Sequence, residues 1–482
     1  RLLHGTCEPV VRMAREKSKG VPPEGESTEA GHRGGTARSS DESPVMGVER
    51  RGCVVQGYLM VNQQWEESVS IAKPYEISKK LVWEAWKRIK ANKGTSGVDS
   101  QTIQDFEGNL KNNLYKVWNR MSSGSYFPPP VRRVEIPKED GGKRPLGIPT
   151  VADRVAQMVV LMLLEPEVEP IFHQDSYGYR PGKSAVDAVE TARKRCWSYD
   201  WVIDLDIRGF FDNIDHELLM KAVRKHAQCK WMQLYIERWL KAPVQMKDGT
   251  LECRDKGTPQ GGVISPLLAN LFLHYAFDAW MVRTFPGSPF ERYADDVVVH
   301  CKTMSEAEQV KNAIKSRLAE CKLEMHPEKT KIVYCKDGWR KGTYPTVCFD
   351  FLGFSFHPRQ AINRKGRIFT GFLPAISNKS LKRIGNVVRS WRLRRWIGYD
   401  IEDLATALNP VIRGWLNYYG RFYKTRCYKI VKILDFALVN WARKKFRKRG
   451  SYRKSTAYIL RVKNQRPTLF CHWQLAGASL KG

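Results

Sequence analysis

Two adjacent carboxylates, Asp295 and Asp296, lie in the run Arg292-Tyr-Ala-Asp-Asp-Val-Val-Val-His300, between an aromatic residue and a β-branched stretch. Like charges at the head of a strand repel unless a cation neutralises them, and a hard, oxygen-ligated ion such as magnesium suits the pair. A second acidic run, Trp201-Val-Ile-Asp-Leu-Asp-Ile-Arg-Gly-Phe-Phe-Asp-Asn-Ile-Asp215, holds four aspartates. Asp204 and Asp206 share one strand face by two-residue alternation, whereas Asp212 and Asp215 fall where the chain turns into a helix, with Asp215 placed as its cap. Two-metal phosphoryl transfer gathers carboxylates from separate segments around ions about 3.5–4 Å apart, so one strand aspartate can join the later pair. Charge chemistry alone leaves Asp204 and Asp206 as equal candidates.

The elements that must position these groups read as a mixture of short strands and helices. Val202 to Asp206 and Val297 to Cys301 are predicted strands, each tied to acidic residues. Gly257-Thr-Pro-Gln-Gly-Gly-Val-Ile-Ser-Pro266 is a glycine-rich loop running into a helix predicted over Ser265 to His274, with Ser265 as N-cap and Pro266 at its first position. Trp83, Trp86 and Ile89 recur at helical spacing, and Lys93-Gly-Thr-Ser-Gly-Val-Asp99 breaks that helix. The alternation lacks a strict βαβ rhythm, which predicts an α+β fold. Residues 1–70, rich in Gly, Ser, Glu, Pro and Arg without periodicity, read as a disordered or upstream extension.

Composition adds a partner. The chain has 81 Lys and Arg against 50 Asp and Glu, a formal charge of +31, far more than solubility requires and suited to nucleic acid. From Ala361 to Gly482 there are 28 cations against four acids, so about +24 of the excess lies in the last quarter, which is predicted to be mainly helical (Ile401 to Ala407, Val411 to Phe422, Tyr428 to Phe446). Trp391, Trp396, Trp415, Tyr418, Tyr419, Phe422, Tyr423 and Trp441 are interleaved with this charge; about half are expected in the core and the rest as stacking faces. The eleven scattered cysteines form no C-x-x-C pair, which fits a reduced cytoplasm, and no apolar run reaches membrane-span length, so no membrane partner is expected.

Tyr293-Ala-Asp-Asp296 resembles the Y-x-D-D signature of reverse transcriptases, and Asp206 with Phe211 five residues later resembles the first catalytic strand of that family. The resemblance selects Asp206, with Asp295 and Asp296, as catalytic residues and ligands of two Mg2+ ions, and makes Phe211 the gate against a ribose 2′-hydroxyl. Arg133 to Pro149 resembles the fingers segment, implying that Lys138 and Arg144 contact the incoming triphosphate; cations around a Gly-Gly turn suit that task. Ser176-Tyr-Gly-Tyr-Arg-Pro-Gly-Lys183 and the glycine-rich loop are similar to segments of the group II intron-encoded branch, which puts Gln260 at the nucleotide or template. His326-Pro-Glu-Lys-Thr330 resembles the next palm segment, with Lys329 near the pyrophosphate, and Phe349-Asp-Phe-Leu-Gly-Phe354 the last. Asn409 to Tyr423 looks like the maturase-specific thumb segment.

The resemblance, running from about Ile77 to Trp473, implies a right-hand polymerase: an N-terminal extension and fingers over 71–197, a palm with an antiparallel sheet over 198–365, and a helical basic thumb and maturase domain over 366–482. It implies a bacterial, cytoplasmic RNA-directed DNA polymerase that uses deoxynucleoside triphosphates, a DNA target or primer, and group II intron RNA whose splicing it aids. Many relatives end in a zinc-supported H-N-H endonuclease; with no paired cysteines after Cys471-His-Trp473, second-strand nicking is not expected. Rival readings are a free-standing reverse transcriptase of defence or repair, and an RNA-binding splicing factor with an inactive polymerase. An RNA polymerase copying RNA is disfavoured, since Ala294 rather than Gly precedes the Asp pair and Phe211 stands where an acid would.

Overall fold

The computed structural model describes residues 73–137, 142–362, 365–446 and 451–477, so the reading of residues 1–70 and the role given to Lys138 lie outside the described residues. The chain divides between Val347 and Cys348 into two compact units. In the first, helix α1 (Lys79–Asn92) is capped by the Ser78 hydroxyl and buries Trp86 and Ile89, while Trp83 stays half exposed. The long helix α3 (Val151–Val168) follows α2 (Leu110–Ser122) and a hairpin of β1 (Val131–Pro137) and β2 (Lys143–Ile148). Almost every residue from Val151 to Val160 in α3 is buried, as expected of a central core helix.

After α4 (Ala185–Ser198) comes β3 (Trp201–Leu205), then the short α5 (Phe210–Asn213), α6 (His216–His226) and α7 (Lys230–Lys241). Two brief strands, β4 (Val244–Gln245) and β5 (Leu251–Glu252), extend the first sheet to the order β2-β1-β4-β5. Helix α8 (Ser265–Leu273) widens into a π turn over His274–Asp278 before α9 (Ala279–Thr284). Its N-cap position is Ile264 rather than Ser265, whose hydroxyl instead accepts a hydrogen bond from Thr258. Strands β6 (Phe290–Tyr293), β7 (Asp296–Cys301) and β8 (Lys331–Tyr334), with α10 (Met304–Glu320) between the last two, complete the antiparallel sheet β6-β7-β3-β8. The α+β class expected from the sequence is observed.

The second unit opens with a three-stranded antiparallel sheet, β9 (Phe349–Phe351), β10 (Phe354–Ile362) and β11 (Ile368–Ile376), in the order β11-β10-β9. β10 and β11 pair along nine residues, and Ile362 and Ile368 at the hairpin end are exposed. Helices α11 (Asn378–Ser390), α12 (Ile401–Tyr419), α13 (Lys424–Lys445), α14 (Tyr452–Gln465) and α15 (Cys471–Gly477) follow. One expectation is overturned here. The helix break between Ala407 and Val411 does not occur: α12 runs through Pro410, because the buried stripe of Leu404, Leu408, Ile412 and Trp415 outweighs one lost backbone hydrogen bond. The interleaved aromatics divide much as expected, five in the core and three that keep part of their surface exposed. Trp391, Trp396, Trp415, Tyr419 and Trp441 are buried, Trp391 stacks on Trp415 at 5.6 Å, and Tyr418, Phe422 and Tyr423 are half-buried against Phe354 or tied by hydroxyls to Leu352 and Gln360.

Candidate active site

Sheet register brings the acidic segments together. β3 pairs antiparallel with β7 so that Leu205 faces Val297; one further step sets Asp206, just past the strand end, level with Asp296. β6 and β7 meet in a two-residue turn, with Tyr293 paired to Asp296 and Ala294 in the left-handed region at φ 57°. A side chain with Cβ is strained there by roughly 1–2 kcal/mol, so the surroundings must hold this turn. The Asp206 amide and carbonyl are fixed by Thr330 and His326, and Lys329 Nζ lies 3.2 Å from Asp206 Oδ2.

The carboxylates respond to one another. Asp296 opens to solvent, yet the crowding of its carboxyl by protein atoms, then the charges of Asp295, Asp206 and Asp204, push it up to about 7. Burial also raises Asp295, with Arg144 opposing and Asp206 reinforcing the shift. Asp204, on the strand between Val298 and Lys331, adds to the negative field. A cluster this reluctant to ionise together has the donor chemistry that a hard divalent cation satisfies. Among the described residues no three ligating groups already converge on one coordination point, and Lys329 Nζ is paired with one oxygen of Asp206.

Around the carboxylates, three segments interlock. Arg144 Nε on β2 donates to Gln260 Oε1 at 2.6 Å, and Gln260 Nε2 donates to both oxygens of Asp212 at 3.2 Å. Gly257 adopts φ 80°, and a Cβ there would strike the Asp212 carbonyl oxygen at 2.7 Å; Thr258 donates its amide to the Phe211 carbonyl. The glycine-rich loop therefore needs glycine to lie flat on the α5 turn. Phe211 is buried, in edge contact with Phe210, and Asp215 caps α6 by accepting from the Leu218 amide, as its position predicted. Arg144, Phe211, Gln260 and Lys329 thus occupy one neighbourhood with Asp206, Asp295 and Asp296.

Sequence reasoning missed the supports. Gln157 on α3 accepts from the Val263 amide at 2.7 Å and donates to Asp153, which also receives Tyr126 and Trp239. Burial pushes Asp153 up to about 6 despite these three donors. Tyr179, at φ 58° and half exposed, sets its ring 6.2 Å from Tyr293 and within the field of Asp295 and Asp296. Its place in the Tyr177-Gly-Tyr-Arg180 run was the available signal.

Comparison with known proteins gives the family. Residues 136–356 match the model of the reverse transcriptase (RNA-dependent DNA polymerase) family, and residues 381–459 match the group II intron, maturase-specific domain. Protein YkfC of Escherichia coli (strain K12) is 33% identical over 283 residues, covering 51% of this chain and 74% of that protein. The group II intron-encoded protein LtrA of Lactococcus lactis subsp. cremoris is 36% identical over 203 residues, 42% of this chain but only 33% of its own length. A solved telomerase from Candida albicans, in complex with a fragment of telomeric RNA, superposes with a TM-score of 0.41 at 13% identity, over 75% of this chain and 66% of that one. The chain belongs to the reverse transcriptases, the RNA-directed DNA polymerases. It also carries a match to the group II intron, maturase-specific domain over residues 381–459, and it spans only about a third of the length of the intron-encoded relative it resembles.

Proposed function

We propose that this protein extends a DNA primer on an RNA template and that its C-terminal unit binds group II intron RNA to aid splicing. The observation that carries the reading is the register that sets Asp206 level with Asp296 and beside Asp295 at the mouth of one sheet. Asp206, Asp295 and Asp296 would hold two Mg2+ ions, which supply charge for the attacking and leaving oxygens when bound. The chain's own residues do the rest. Arg144, positioned by Gln260, meets the triphosphate with a planar fork of donors, and Lys138 adds a second cation. Gln260 and the flat glycine loop bear on the nascent base pair. Phe211 closes the sugar side against a 2′-hydroxyl. Lys329, released from Asp206, is placed to neutralise or protonate the departing pyrophosphate.

Primer extension on an RNA template with deoxynucleotides and Mg2+ tests this reading. Asp295→Ala should lower the rate by several orders of magnitude, since electrostatic stabilisation is the main catalytic term, while Asp204→Asn retains substantial activity. Near-normal extension by Asp295→Ala would sink the assignment, and a dead Asp204→Asn would mean that the other strand aspartate carries the metal. The same unit is expected in a bacterial cytoplasm, where deoxynucleotides and intron transcripts meet. Among the described residues no helix is long and apolar enough to cross a membrane.

A further inference from the structure

Behind the aspartate turn lies a charged pair with no contact to solvent. Arg292, the residue before Tyr293, is 0% exposed and its partner Asp278 1%. The pair is bidentate: Nε and Nη2 of Arg292 reach Oδ1 and Oδ2 of Asp278 at 2.7 and 2.6 Å. The remaining nitrogen, Nη1, donates to Asn270 Oδ1 at 2.9 Å and to the carbonyl of Ala294, the left-handed residue of the turn, at 3.2 Å. Asn270 passes the connection on, donating from Nδ2 to the Gly178 carbonyl at 2.7 Å. A Cβ on Gly178 would collide with the Ala294 amide, so that loop lies directly against the turn.

The helix that supplies Asn270 and Asp278 is built for this contact. In a regular α-helix, residues eight apart point about 80° away from each other. The π turn over His274–Asp278, marked by the Ala279 amide donating to the His274 carbonyl five residues back, inserts one residue. Eight residues then behave as seven steps, and the two side chains fall within about 20° of one face. Without the widened turn, one guanidinium could not meet both.

Stability is a poor explanation for such a pair, because enclosing two charges costs solvation that a well-packed apolar pair of similar size avoids. We propose that Arg292, held by Asp278 and Asn270 across the π turn, is a positioning residue that fixes Ala294 in its strained conformation and thereby sets where Asp295 and Asp296 project. This rests on the polymerase reading of the site, but its effect is on the carboxylates themselves. Arginine is required because only its fork can hold two carboxylate oxygens, an amide oxygen and a backbone carbonyl at once.

The test replaces the pair by apolar residues, Arg292→Met with Asp278→Leu, in the full chain. Three readouts are taken: thermal midpoint, Mn2+ binding to the protein alone by electron paramagnetic resonance, and kcat and KM for deoxynucleotide in primer extension. The expected result is a midpoint within a few degrees of the parent, Mn2+ binding weakened about tenfold, kcat lowered at least tenfold and KM changed less than threefold. Arg292→Lys should fail to restore kcat. A folded double variant with parental Mn2+ binding and kcat overturns the proposal. If the double variant does not fold, Asn270→Ala decides: several-fold losses in Mn2+ affinity and kcat support the clamp, and parental values overturn it. A parent that binds Mn2+ but extends no primer defeats the polymerase reading while leaving the Mn2+ comparison to judge the clamp. A parent that binds no Mn2+ overturns both.

Discussion

The two compact units bury different things. Among the described residues, the first encloses Asp153, Arg154, Asp175, Asp278, Glu291, Arg292 and His300, many joined in named pairs such as His300 with Glu291 and Arg292 with Asp278. The second encloses only Arg359 and His472 among its charged and imidazole groups, beside a large aromatic core of Trp391, Trp415, Trp441 and Trp473. Buried polar contacts are directional, so the first unit can place an individual carboxylate. Apolar packing is not, and the second unit instead presents many interchangeable cations from helices that need only stay folded.

The sharpest way to break this contrast is Asp295→Ala with Asp296→Ala. DNA synthesis should fall about a thousandfold or more, while intron RNA affinity stays at the parental value, because removing two acids cannot weaken attraction to a polyanion. Filter binding beside primer extension checks both halves, and loss of RNA affinity in a folded variant would erase the division. A smaller, graded effect is expected from Gln at Lys429, Lys432, Lys444, Arg453 and Lys454, all exposed on α13 and α14. RNA affinity should drop by roughly ten- to a hundredfold at moderate salt, with a shallower salt dependence, while extension of a short primed template persists. Lys445 is left in place because it joins the Tyr399 carbonyl and Asp400 at 2.6 Å each and belongs to the fold.

Phe211→Val sharpens the directional side of the comparison. Opening the sugar side should raise ribonucleotide use relative to deoxynucleotide by about tenfold, an effect on the scale of one lost apolar contact. An unchanged ratio in competition assays would remove Phe211 from sugar selection. The smallest effect concerns Asp153. Its folded value of about 6 lies above the ordinary carboxylate range, so the folded state binds the proton more tightly than the unfolded chain. The stabilisation from that proton is complete below about pH 4 and lost as pH rises through 6. Relative to the parent, Asp153→Asn should therefore gain a few degrees of melting temperature between pH 4 and 6 and then level off. A pH-independent difference in calorimetry would refute the assignment.

How much of this was legible beforehand follows the same line. Asp295 and Asp296 could be read because the Y-x-D-D run is local, whereas alternation left Asp204 and Asp206 equal and only the resemblance chose Asp206, which the register sets level with Asp296. Gln260 and Arg144 could be named but not paired, since 116 residues separate them. The partnership of Arg292 with Asp278 was hidden for another reason: it depends on one extra residue in a helical turn, which leaves no periodic mark in a short apolar run. Pro410 misled because its local penalty is real and only the buried stripe on both sides overrides it. The aromatics of the last quarter could be divided between core and surface only in rough proportion, because interleaving with charge says nothing about which way a helix faces until its neighbours are known.

The hairpin of β10 and β11 carries a consequence for handling the protein. Among the described residues β11 has one sheet neighbour within its unit, and it is exposed only at its start, so a strand from another copy can be seated only at the hairpin end, where Ile362 and Ile368 give an apolar foothold. Pro374 removes one donor from the row and blunts the edge without closing it. Concentrated samples free of RNA should therefore be lost first to strand-by-strand aggregation rather than to melting, and a lysine at position 362 or 368 is the change that would keep them in solution.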